Sequence, residues 1–157
     1  MMKKITYTIM IMIFYFVGCT SEELTSARLY IQQKNWEKAK EYLFKAMEVE
    51  PENPEVFYSL GKYIYAKKKD WKNMNQMFDK ALEIDSNRVI LQGGTVKVYV
   101  EQVRYEHWRK EYNKGVSNFQ KYQKKKEKSD DNYLNKSITH FEISIQIYPD
   151  KIENYLN

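Results

Sequence analysis

One pattern constrains this chain more than any other. From Trp36, the residues Ala39, Leu43 and Ala46 follow at steps of 3, 4 and 3, and Pro51 stands 5 further on. The order returns at Trp71, Met74, Phe78, Ala81 and Ser86, and again at Leu134, Ser137, Phe141, Ser144 and Pro149. Steps of 3 and 4 put such residues on one face of an α-helix. A small–large–small order with a stop at constant offset, used repeatedly, is more than amphipathicity and marks a repeated structural unit. Only 5 Gly and 3 Pro in 157 residues fit a helical chain with few turns.

Each such helix needs a partner. Ahead of Trp36, Leu24, Ala27, Tyr30 and Ile31 form an apolar stripe, with Ser21 or Thr25 as cap and Glu22 and Glu23 in the first turn. Ahead of Trp71, Phe57, Leu60, Gly61 and Ile64 stand at the spacing W-x2-L-G-x2-Y, with changes at both ends. Glycine inside a helix costs ~1 kcal/mol relative to alanine, so Gly61 predicts the close approach of another helix. Ala27, 34 residues earlier, is the corresponding small residue. Lys67-Lys68-Lys69-Asp70 reads as a turn about one residue longer than Gln33-Lys34-Asn35. This order and spacing resemble the tetratricopeptide repeat, a 34-residue helix-turn-helix. The resemblance implies an all-α fold, an α-solenoid of helix-turn-helix units spanning about 20–53, 54–88 and 104–151. An irregular helical segment is expected at 87–110.

That middle segment is the least regular. Gly93-Gly94 lies among Val89, Leu91, Val96, Val98, Val100 and Val103. A helix is preferred over a short strand from Thr95 to Val103, because no partner strand is visible. Further on, Gly115 takes the small position of a third first helix. Lys124 to Asp131 has no apolar residue and reads as a solvated, elongated turn. After Pro149, the stretch Asp150 to Leu156 resembles the opening of another unit, so the chain is expected to be the front piece of a longer protein.

The N-terminus has a different character. Lys3 and Lys4 precede an apolar core from Ile5 to Val17, too short to span a bilayer but of the length of a signal-peptide core. Phe16-Val17-Gly18-Cys19 resembles a bacterial lipoprotein box, although Leu is usual where Phe16 stands. The resemblance implies cleavage after residue 18, acylation of Cys19 and a helical domain over 19–157. By resemblance to the sorting rule of diderm bacteria, Thr20 rather than Asp after the cysteine favours export onward to the outer membrane, facing the periplasm. Cys19 is the chain's one cysteine, which excludes a disulfide framework or a cysteine-based metal site.

Lysine and arginine exceed the acids by 26 to 21, a mildly basic balance spread along the chain. His107 and His140 have no second ligand at metal spacing. No phosphate loop, G-x-S-x-G elbow or H-E-x-x-H occurs. Neither an enzyme, nor a cofactor, metal or small-molecule substrate is expected. By resemblance, the first helices of the units line a groove for a protein or peptide partner. Leu24, Arg28, Ile31 and Gln32 would face it from the first unit, and Tyr58, Lys62 and Tyr65 from the second. Arg28, Tyr58, Lys62 and Tyr65 are therefore the candidate partner-binding residues, and Cys19 the lipidation site. The expected function is a lipid-anchored cell-envelope scaffold. A helical-repeat RNA binder is the alternative, disfavoured by the leader, and a purely structural fragment is a third.

Overall fold

The computed structural model describes residues 20–90, 93–124 and 131–151. These are helical throughout their regular parts and contain no strand, only an isolated antiparallel bridge between Val89 and Thr95. Two compact units divide the chain at Pro51 and Glu52. The first contains α1 (Glu22–Gln32) and α2 (Trp36–Val49). The second contains α3 (Pro54–Ser59), α4 (Trp71–Asp85), α5 (Val96–Lys124) and α6 (Asn132–Ile147).

Every helix start in the first two hairpins has a side-chain cap, as the orphaned N–H groups of a first turn require. Ser21 Oγ accepts from Leu24 N at 3.1 Å, Asn35 Oδ1 from Lys38 N at 3.3 Å, Asn53 Oδ1 from Glu55 N at 3.1 Å and Asp70 Oδ1 from Asn73 N at 3.1 Å. In the first hairpin the Ser21 amide also donates to the Glu50 carboxylate, tying the start of α1 to the end of α2.

The repeated skeleton is the core. Ala39, Leu43 and Ala46 are fully buried, as are Met74, Phe78 and Ala81. In the third hairpin Ser137 and Ser144 hold the small positions, also buried. Their hydroxyls do not go unsatisfied: Ser137 Oγ donates to Gly115 O on α5 at 2.9 Å, and Ser144 Oγ to Phe141 O at 2.7 Å. In the second and third hairpins the large residue of the second helix meets the small residue of the first. A Cβ built on Gly61 would lie 2.4 Å from Phe78 Cε1, and one on Gly115 would lie 2.7 Å from Phe141 Cδ1. The first hairpin has the smaller Leu43, and there the small position carries the methyl of Ala27.

The second hairpin departs from the sequence expectation at its extra residue. The turn is not longer. Lys34 and Lys69 both take φ of 56°, in the left-handed region, and Asn35 and Asp70 both cap the next helix. Asn35 N bonds Tyr30 O at 2.9 Å, and Asp70 N bonds Tyr65 O at 3.0 Å, the same closure in both. The insertion lies inside the first helix, where α3 continues as a π-helical stretch, Leu60–Tyr65, and a 3-10 turn, Ala66–Lys68. Ala66 N donates to Gly61 O, five residues back. One added residue without a change of helix direction is what a π-bulge accommodates.

The segment after α4 also differs. Residues 87–90 and 93–95 are not helical; the Val89–Thr95 bridge closes a loop in which Gly93 takes φ of 83°. Such a φ is costly for any residue with a Cβ, so Gly93 permits the reversal. From Val96 the chain is one helix of 29 residues, and the third unit's first helix begins there rather than at 104. Arg104 binds it to α4: Nε donates to Asn75 Oδ1 at 3.0 Å, an η nitrogen to Asp79 at 2.7 Å, and the guanidinium lies 5.8 Å from the Phe78 ring centre. Asn75 Nδ2 in turn donates to Gln146 O of α6 at 2.7 Å.

Candidate partner-binding surfaces

The sequence-predicted groove residues sit in both compact units. In the first unit, Arg28 is half-buried on α1 and Gln32 is exposed at its end, whereas Leu24 is fully buried and belongs to the hairpin core. Leu24 shares the buried side of α1 with Ala27, one turn away.

In the second unit the candidate residues divide. Tyr58 is not a surface residue: it is 5% exposed, with its ring stacked on Phe78 at 6.1 Å and tilted against Tyr99 of α5 at 5.9 Å. The reason is topological. The 29-residue α5 returns across α3, and Tyr99, whose hydroxyl accepts from Gly94 N at 3.2 Å, covers the side of Tyr58 that a two-helix picture leaves open. Burial accordingly raises the Tyr58 hydroxyl above its ordinary pKa, against the opposing pull of Lys62.

Lys62 and Tyr65 are half-exposed. Lys62 Nζ donates to Tyr58 Oη at 2.9 Å and stands over the rings of Tyr58 (5.4 Å) and Tyr63 (5.1 Å). Burial alone would lower its pKa, but the hydrogen bonds and charge interactions with Tyr58 and Tyr63 more than offset that and hold it above the usual lysine value. These contacts are all with neutral groups. Among the described residues no carboxylate pairs with the ammonium, which the tyrosines hold in place. The π-helical stretch supplies the arrangement, since Lys62 and Tyr63 are both within it.

The third hairpin contains a charged cluster that sequence reasoning missed. Glu111 of α5 is buried, with Lys114 Nζ at 2.7 Å from one carboxylate oxygen and His140 Nδ1 of α6 at 2.8 Å from the other. Burial opposes the charge on Glu111, but Lys114 and His140 outweigh it and hold the carboxyl below its ordinary pKa. The Lys114 contact was legible as an i, i+3 pair; the His140 contact, 29 residues away, was not. His107 rests against Trp71, ring centres 5.1 Å apart, and burial lowers its pKa. Among the described residues no group of three or more His, Cys, Asp or Glu could hold a metal ion. Nor is any described helix long and apolar enough to cross a membrane. Cys19, the leader of residues 1–18 and the half-unit after Lys151 lie outside the described residues.

A tetratricopeptide repeat family model matches residues 24–53, the span of the α1–α2 hairpin and the start of the next unit. No curated protein matches the chain. The chain thus carries a tetratricopeptide repeat, on an all-α fold of helix-turn-helix units of that kind. Repeats of this family commonly bind protein partners and are generally non-catalytic.

Proposed function

We propose that this protein is a lipid-anchored cell-envelope scaffold that holds a protein partner through its helical repeats and performs no chemistry of its own. The observation that carries the scaffold reading is the tetratricopeptide match over residues 24–53, on a hairpin whose small–large–small core recurs in the rest of the chain. Support for the anchor comes from the sequence: the basic start, the apolar core and the Phe16-Val17-Gly18-Cys19 box. Two or three acyl chains, each stabilised by ~0.8 kcal/mol per buried CH₂, hold a protein on a membrane where one chain would be marginal. The partner-facing residues are Arg28 in the first unit and Lys62 and Tyr65 in the second; Tyr58 acts behind them by positioning Lys62.

Capture from detergent-solubilised envelope tests this reading. The tagged full chain is expected to retain a discrete protein partner, and Arg28→Glu with Lys62→Glu to reduce that retention about tenfold or more, since reversed charges repel what the native ones attract. Retention unchanged by both substitutions, or recovery of RNA with a steep salt dependence instead, would overturn the proposal.

A further inference from the structure

The basic balance runs along the chain, but it is densest in one span. Residues 109–128 contain eight Lys and Arg against two Glu, a balance of +6, while the whole chain is only +5. Within the described part of that span, Lys110, Lys114, Lys121 and Lys124 all project from α5. At about 100° per residue they fall within an arc of about 80°, and the row is about 21 Å long. The buried residues Trp108, Glu111 and Gly115 lie on a different side of the helix, toward α6. Between the lysines is a shallow cleft of about 420 Å³, completed by Asn113, Ser117 and Asn118, with no carboxylate in its wall. Glu111, the one acid among the described residues of this span, is buried and engaged by His140 as well as Lys114.

From this stripe we infer a membrane-contact surface: α5 lies along anionic phospholipid headgroups through Lys110, Lys121 and Lys124, with Lys114 paired to Glu111 between them. Three features separate that occupant from the others. All residues lining the cleft come from one helix, so it lacks the second wall that an acidic peptide needs to be held in register. No aromatic side chain stands within the cleft, so there is nothing for a nucleobase to stack on. A sheet of phosphates, by contrast, accepts a row of flexible ammonium groups in any register, at about 1 kcal/mol for each lysine near the surface. The inference rests on the proposed anchoring for the presence of a bilayer nearby, and on the stripe alone for its affinity.

The test places a fluorophore in the middle of the stripe. The full chain with Cys19→Ser and Ser117→Cys carries one thiol, which is labelled and reconstituted into vesicles of phosphatidylcholine, alone or mixed with phosphatidylglycerol, with a headgroup-bound energy acceptor. Strong energy transfer is expected in the phosphatidylglycerol vesicles and not in the others, with loss at high salt. Lys110→Gln, Lys121→Gln and Lys124→Gln together should lower the bound-to-free ratio of the segment on the order of a hundredfold. The corresponding Lys→Arg triple should retain binding, and unchanged circular dichroism shows that both variants fold. Equal transfer in the two vesicle types, or transfer that survives the glutamine triple, overturns the inference. So does tighter binding of soluble polyglutamate than of the vesicles at the same ionic strength, which would assign the stripe to an acidic protein. Because Cys19 is absent from the labelled chain, failure here is distinguishable from failure of the anchor.

Discussion

Gly61→Ala is expected to destabilise the second compact unit by about 1–3 kcal/mol, the range for an overfilled core. In an exposed helix the same change would stabilise by up to ~1 kcal/mol, because glycine is the poorer helix former. The sign reverses here because the new methyl would lie 2.4 Å from Phe78 Cε1, in a ring that is fully buried and stacked on Tyr58. Phe78 cannot swing away without displacing Tyr58 or the Arg104 guanidinium above it. The first hairpin shows the remedy, with alanine at the small position and Leu43 at the large one. Adding Phe78→Leu to Gly61→Ala should therefore recover stability relative to the sum of the two single changes. Thermal melting of the four proteins gives the coupling directly. Additive effects would show that the glycine–phenylalanine contact is not what fixes this helix pair.

The second large effect concerns the inserted residue. Deleting one residue inside a packed helix normally rotates everything after it by about 100° and takes the core stripe out of the core. Deleting Tyr63 should not do this. Removing it lets Leu60–Tyr65 return to ordinary α-helical bonding, and Tyr65, Lys69 and Asp70 then stand at the same 34-residue offset from Tyr30, Lys34 and Asn35 that Gly61 has from Ala27. The expected loss is that of weakened burial of Ile64, about 1.5–3 kcal/mol at most. Deleting Met77 from α4 is the contrast, because it turns Phe78 and Ala81 away from Gly61 and should abolish cooperative unfolding. Circular dichroism melts compare them, with amide exchange at Asp70 reporting the bond to Tyr65 O. Equal damage from the two deletions would disprove the insertion account.

These two cases also show where the sequence was readable. The second-helix stripes were legible because each lies on a single helical face, and Ala39, Leu43, Ala46, Met74, Phe78 and Ala81 are all fully buried. Gly61 was legible as a close approach, though not which ring approached it. The π-helical stretch was hidden because one extra residue can be absorbed in a turn or inside a helix at similar cost. Its trace is the change from a 34-residue offset at Gly61 to a 35-residue offset at Trp71. Tyr58 was misplaced for a different reason. A helical wheel records which residues share a side of α3, but not that α5 comes back to cover that side with Tyr99. The Glu111–His140 contact depends on how α5 and α6 face each other, which only the fold sets.

The anchored-scaffold account stands most directly on one bond, the one proposed at Cys19. Mass spectrometry of the N-terminal peptide, taken from protein extracted out of envelope membranes, tests it. The account predicts a peptide that begins at Cys19, with a diacylglyceryl group on its sulfur and an acyl group on its nitrogen. A peptide that begins at Met1, or one in which Cys19 retains a free thiol, would contradict it.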